Sequence, residues 1–218
     1  MQPRVWGPPT WRLLHALGHC ARRGLLHPKD LWPMADLLKE VLPCSLCRES
    51  YTTMQGTNAA LSARRAADDF EGFVYVLHNL VNTKLHKCQG PSLDTVRTVC
   101  AAFDAIPGQA AVSCADVWLV LFVFGCCADA LKGTDSTECT ARRAAFIAFA
   151  TMLGVALKAL PYKPLRHLGR RLHRAFRHAT DATPVTQALS VASRVPWTTV
   201  VQVGDRARVR PPPTPFIL

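Results

Sequence analysis

Two cysteines three residues apart, in Pro43-Cys44-Ser45-Leu46-Cys47, are the side chains of this sequence best suited to chemistry. At a helix start such a pair can close a strained disulfide, and the helix dipole lowers a thiol pKa there and raises the thiolate population. That combination suits thiol–disulfide exchange. The same spacing is also half of a tetrahedral zinc site, although no second C-x-x-C completes it. A zinc-stabilised interaction protein would draw on Cys44, Cys47, His78 and one of Cys88 or His86. Ordinary buried thiols are the third reading of the pair.

A second group of polar side chains lies in Tyr75-Val76-Leu77-His78-Asn79-Leu80-Val81-Asn82-Thr83-Lys84-Leu85-His86-Lys87. On a helix His78 and Asn82 face one way, with Leu85 and His86 one turn on. Burying them without partners is costly, and a bound ligand rich in donors and acceptors would satisfy them. A solvated face or an internally bonded core histidine would do so as well. The third group is Gly7-x-x-x-Trp11-x-x-x-His15. Trp11 and His15 are expected as two flat rings side by side, a stacking wall for a planar cofactor or simply part of a core.

The elements that must position these residues read as helices. Thr10 is expected to cap a first helix carrying Trp11, Leu14 and Leu17. A second is expected from Leu31 to Leu42, stopped by Pro43, and a third from Cys44 towards Ala60. A fourth runs from about Asp69 to Lys87, with Asp68, Asp69 and Glu71 suiting its start and Lys84 and Lys87 its end. A short fifth covers Leu93 to Phe103. Pro107-Gly108-Gln109 marks a boundary, beyond which helices are expected over Val117–Leu131, Ala141–Leu160 and the basic Leu165–His178. Thr198 to Val203 is the one segment expected to pair weakly as strand. Trp11-x-x-x-His15-x-x-Gly18-x-Cys20-Ala21 lines up with Trp118-x-x-x-Phe122-x-x-Gly125-x-Cys127-Ala128, which makes the second half a degenerate copy of the first with Phe122 in place of His15.

Composition bounds the rest. The chain has 218 residues, 49% of them hydrophobic and 19% charged, so it can bury a sizeable core. Nine cysteines fall short of a disulfide-rich scaffold. The formal charge of +11 is uneven: residues 1–140 carry 13 basic and 13 acidic side chains, and residues 141–218 carry 13 basic and 2 acidic ones. A uniformly basic fold is thereby excluded. The uncharged stretches Val117–Cys127 and Ala144–Leu157 are shorter than a membrane span and read as buried helices, so no transmembrane segment is expected. No secretory signal is visible, and an intracellular location is expected, host cytoplasm or virion if the protein is viral.

In combination, the order Gly-x-x-x-Trp-x-x-x-His, then C-x-x-C, then His-Asn-x-x-Asn-x-x-Leu-x-Lys resembles the ALR/Erv family of FAD-linked sulfhydryl oxidases, over roughly Trp6 to Cys100. The resemblance implies an all-α fold, a bundle of four core helices plus a short fifth that holds FAD. Gly7, Trp11 and His15 would contact FAD from the first helix; His78, Asn79, Asn82 and Lys84 or Lys87 would hold its adenosine and phosphate parts. Cys47 would lie against the flavin, and Cys44 would exchange with protein thiol substrates. Electrons would pass to O2, giving hydrogen peroxide. No metal is assigned, and a homodimer is one expected assembly.

The sequence departs from the family pattern in three places. Tyr75 stands where many members have a further cysteine. Cys88 and Cys100, twelve apart, are the nearest equivalent of a structural disulfide usually spaced more widely. Cys20, Cys114, Cys126, Cys127 and Cys139 have no assignment. The expected organisation is a catalytic module over 1–106, an additional helical region over 107–205 like that of some viral members, and a Pro/Arg-rich tail over 206–218. Within the second region the basic helix 163–178 places Leu165, Leu168, Leu172 and Phe176 on one side. Arg166, Arg170, Arg171, Arg174 and Arg177 are expected on its polar side. That side suits an anionic partner, or is a solvated face.

Overall fold

Proline placement opens both of the first two helices. The computed structural model describes residues 2–65, 69–104, 112–129, 136–180 and 185–193. Helix α1 (Pro3–Arg22) and helix α2 (Pro28–Val41) each carry proline in the first turn, where its missing N–H forfeits no hydrogen bond. Thr10 is therefore not a cap. It lies inside α1, and its hydroxyl donates to the Trp6 carbonyl at 2.7 Å. The extra turns are drawn into the helix by tertiary packing, because Trp6 is buried edge-on against Phe124 with ring centroids 5.9 Å apart.

The single helix expected from Cys44 to Ala60 is two. Helix α3 (Ser45–Gln55) stops at Gly56, and helix α4 (Asn58–Arg65) follows directly. Thr57 turns the chain between them: its hydroxyl donates to Met54 O at 2.8 Å and accepts from the Ala60 N–H at 3.4 Å. Helix α5 (Phe70–Lys84) opens on Asp69, whose carboxylate accepts the Gly72 N–H at 2.9 Å. Helix α6 (Leu93–Asp104) completes the first half. Trp32 gathers α2, α4 and α5: Phe70 and Phe73 each pack edge-on to it at 5.1 Å, and the Arg64 guanidinium lies over its face. Arg64 also forks onto Asp36 at 2.7 and 2.8 Å, and Tyr51 donates to Ala35 O at 2.8 Å.

The second half consists of α7 (Cys114–Asp129), α8 (Ser136–Ala159), α9 (Lys163–Phe176) and α10 (Val185–Ser193). No helix was expected over 185–193. Val185, Ala188, Leu189 and Ala192 are buried there, and α10 packs on α7 and α9. The described residues are all-α, without a strand. The Pro107 boundary, the Thr198–Val203 segment and the 206–218 tail lie outside the described residues.

Residues on both sides of the 106/107 division form one continuous core, with α1 against α7 and α2 against α8. An ion pair from Arg12 to Asp116 ties α1 to α7. The two aligned glycines serve alike. A Cβ on Gly18 would stand 2.9 Å from the Glu71 Cα of α5, and one on Gly125 would stand 2.7 and 2.8 Å from Leu189 and Val185 of α10. Each lets another helix press onto its own. Within α8, Thr137–Ala159 is the one stretch among the described residues long and apolar enough to cross a membrane, and half of it is buried against protein.

Candidate functional site

Cys44 is the N-cap residue of α3, and its sulfur accepts the Cys47 N–H at 3.3 Å. Leu42 leaves α2 in an extended conformation and Pro43 follows, so the chain enters α3 with Cys44 at its positive end. Burial pushes the Cys44 thiol up. The hydrogen bonds from the Cys47 thiol and the Cys47 and Leu46 N–H groups, with the Arg48 charge, outweigh it, and the net direction is down. Cys47 goes the other way: burial, the bond to Cys44 and the charge on Cys44 push it up to about 12, against Lys84 and Arg48. The pair is thus asymmetric: Cys44 is the more acidic thiol, and Cys47 the one that holds its proton. Arg48 sits one turn after Cys44 and donates to Leu42 O at 3.0 Å. Both cysteines are half-buried, whereas Leu46 between them is 67% exposed.

The polar groups of α1 and α5 meet in a cleft lined by His15, Tyr75, His78, Asn79, Asn82, Gly90, Pro91 and Val96. It encloses about 210 Å³, part of it open to solvent. His15 Nε2 and His78 Nδ1 are 3.0 Å apart, so one ring donates and the other accepts. Burial pushes His15 down to about 4, against the pull of Glu71, and burial, His15 and Lys87 push His78 down to about 3. Both rings are neutral at pH 7. His15 Nδ1 is buried without a partner. Asn79 accepts the Gly90 N–H at 3.2 Å, which folds the segment after α5 over the cleft. The stacking wall differs from expectation. Trp11 and His15 are tilted by 43° at 6.4 Å, and it is Trp11 and His78 that stack, at 4.2 Å and 5°. Rings four residues apart share a helix face without having to lie parallel, whereas α1 and α5 packed together lay Trp11 flat on His78.

Near the start of α5, Glu71 is 2% exposed, bonded to Arg97 Nε at 2.8 Å and Arg22 Nε at 3.0 Å, with His19 Nδ1 at 3.7 Å. Burial pushes its carboxyl up, but the bonds from His19 and Arg97 and the Arg22 and Arg97 charges hold it below the usual range. This network joins α1, α5 and α6.

The structure brings together His15, His78, Asn79 and Asn82. Lys84 and Lys87 are exposed at the end of α5; Lys84 contacts Ser50 of α3, and the Lys87 N–H donates to Asn82 O at 2.9 Å. Gly7 does not line the cleft, and a Cβ there would meet nothing within 4 Å. Nor does a disulfide join Cys88 to Cys100: Cys88 is exposed beyond α5, whereas Cys100 is buried on α6. Arg48, Tyr75 and Glu71 were missed by sequence reasoning. Arg48 was legible from its place four residues after Cys44; Glu71 had been taken only as a helix-start charge.

A half-buried dithiol stands at a helix N-cap of an all-α chain that also holds a cleft lined by neutral histidines and asparagines, an arrangement chemically suited to thiol exchange. Residues 8–99 match the family model of the Erv1 / Alr family. No curated protein and no solved structure gives a significant match. FAD, the cofactor of that family, is chemically suited to the residues present. The orphaned His15 Nδ1 and the buried Asn82 offer polar partners, while Trp11, stacked on His78, is not among the residues that line the cleft.

Proposed function

We propose that the protein is an FAD-dependent sulfhydryl oxidase that forms disulfides in protein thiol substrates. The observation that carries this reading is the asymmetric Cys44/Cys47 pair. The charge of Lys84 acts on Cys47 from α5, the same helix that presents His78, Asn79 and Asn82 to the cleft. His15, His78, Asn79 and Asn82 would hold the cofactor, with Trp11 beside them. FAD, when bound, takes an electron pair from the reduced C-x-x-C and delivers it to O2 as hydrogen peroxide.

The work of the chain itself is thiol exchange. In the disulfide form of the pair, a substrate thiolate attacks Cys44 Sγ; an S–S bond to the substrate forms and Cys47 leaves as thiolate. A second substrate thiolate then attacks the substrate sulfur of that mixed disulfide. Cys44 departs as thiolate, and the substrate leaves as a disulfide, two electrons poorer. The N-cap position, the Cys47 N–H and Arg48 favour the Cys44 anion as leaving group in this second step. The raised Cys47 thiol takes up a proton.

Purified protein should show flavin absorbance near about 450 nm and consume O2 with a dithiol substrate. Cys47→Ser should keep the flavin and lose turnover. A colourless protein holding stoichiometric zinc, or a Cys47→Ser variant with substantial turnover, would overturn the reading.

A further inference from the structure

Helix α9 is the most strongly amphipathic element of the chain, and its two faces have separate fates. Leu165, Leu168, Leu172 and Phe176 are each at most 3% exposed. Contact with α8 is backbone to backbone: a Cβ on Gly169 would stand 2.4 Å from Lys158 N and 2.7 Å from Gly154 O, and one on Gly154 would stand 2.8 Å from His173 N. Two glycines facing each other fix how α9 is rotated about its axis. Its apolar side is committed to the core.

What remains outside is a line of cations. Lys163, His167, Arg170, Arg174, Arg177 and His178 are exposed. At 100° per residue they all fall opposite the buried seam. Arg171 does not belong to this line, contrary to the sequence expectation: its Nε donates to Ala192 O at 2.6 Å and its guanidinium lies 5.8 Å over Trp118, so it ties α9 to α10 and α7. From Lys163 to Arg177 the line runs about 21 Å at 1.5 Å per residue. Between Glu138 and Asp181 the sequence has no acidic residue, so neither α9 nor the α8 turns beneath it supply carboxylates. The line therefore presents four permanent charges.

We propose that this face of α9 is a phosphate-backbone binding surface for nucleic acid, used without base readout. A straight row of cations one helical turn apart matches a polymer with regularly spaced phosphates. A membrane is the weaker fit: an amphipathic helix that binds lipid needs its apolar face, which is buried here, and α9 has no exposed large hydrophobic side chain. No Trp, Tyr, Phe, Asn or Gln stands in the line, and cations spaced along one helix face suit phosphates, so the recognition proposed is electrostatic. The surface is remote in sequence from Cys44 and Cys47, and the inference does not rest on the oxidase reading.

The test uses the full chain and a fluorescently labelled mixed-sequence 20-base-pair DNA duplex, titrated by anisotropy at several salt concentrations. Four phosphate contacts predict a slope of log K against log salt of about −3.6, a loss of roughly a hundredfold between 50 and 200 mM salt. R170Q/R174Q/R177Q should retain its helical circular dichroism and melting temperature and reduce the slope to about −1. R174Q alone should remove about one unit of slope. Vesicles containing an anionic phospholipid, and neutral ones, are titrated in parallel. No duplex binding, an unchanged slope in the triple variant, or binding to anionic vesicles that exceeds binding to DNA would each overturn the proposal.

Discussion

The paired histidines of the cleft make acid lability a quantitative test of the site. His15 is 3% exposed and His78 6%, and both are held neutral, down to about 4 and about 3, with burial the largest cause. An unfolded histidine titrates near 6.5. Below that value the unfolded chain binds protons that the folded chain refuses, so stability falls as pH drops through 6.5. It goes on falling until pH reaches the folded values. Between pH 7 and 5 each ring should then lose about 2 kcal/mol, at 1.36 kcal/mol per pH unit over roughly 1.5 units. Together that is about 4 kcal/mol, a large share of the ordinary 5–15 kcal/mol of a folded domain. Urea unfolding followed by circular dichroism at pH 7 and pH 5 reads it directly, as a fall in midpoint of about 2 M for a slope near 2 kcal/mol/M. Stopping at pH 5 keeps Glu71 largely out of the measurement, because a carboxyl lowered in the folded state starts to lose its contribution only near the unfolded value of about 4.3. His15→Gln and His78→Gln should each be destabilised at pH 7, yet each should lose about half of the pH dependence. If both variants keep the full difference between pH 7 and 5, the two rings are not the buried neutral pair described above.

The asymmetry of the dithiol predicts that iodoacetamide at neutral pH modifies Cys44 at least about tenfold faster than Cys47, as peptide mapping of the reduced protein would show. Cys44→Ser should leave the melting temperature nearly unchanged, because serine also caps a helix, while thiol-dependent O2 consumption is lost. A large fall in melting temperature would mean that Cys44 does more for the fold than cap α3. Gly18→Ala should cost about 1–3 kcal/mol in denaturant unfolding, because the new Cβ meets the Glu71 backbone at 2.9 Å rather than a side chain that can move aside. His78→Ala with Asn82→Ala should lower both flavin content and melting temperature, since a ligand bound only by the native state stabilises it by mass action. Unchanged flavin content would displace the cofactor from this cleft.

Much of the site was legible in the residues alone. Cys44 and Cys47 are three apart after a proline, and that spacing by itself puts the first sulfur at a helix N-terminus. His78 and Asn82 are four apart on an amphipathic helix, so their common face follows from 3.6 residues per turn. The leucine seam of α9 was equally plain, because local periodicity carries that information. The sequence also determined that the positive charge lies beyond residue 140. Tertiary structure decided what depends on neighbours distant in the chain. Trp11 lies on His78 rather than beside His15, because α1 and α5, distant in sequence, pack side by side. Arg171 turns to Trp118 and Ala192, leaving the cation line to its neighbours, because α7 and α10 stand on that flank. Thr10 sits inside α1 since burying Trp6 against Phe124 is worth more than an early cap. Glu71 carries a helix-start signature that gave no sign of its burial, since its partners Arg22 and Arg97 come from two other helices. Periodicity fixes which side of a helix a residue occupies; only packing fixes what that side touches.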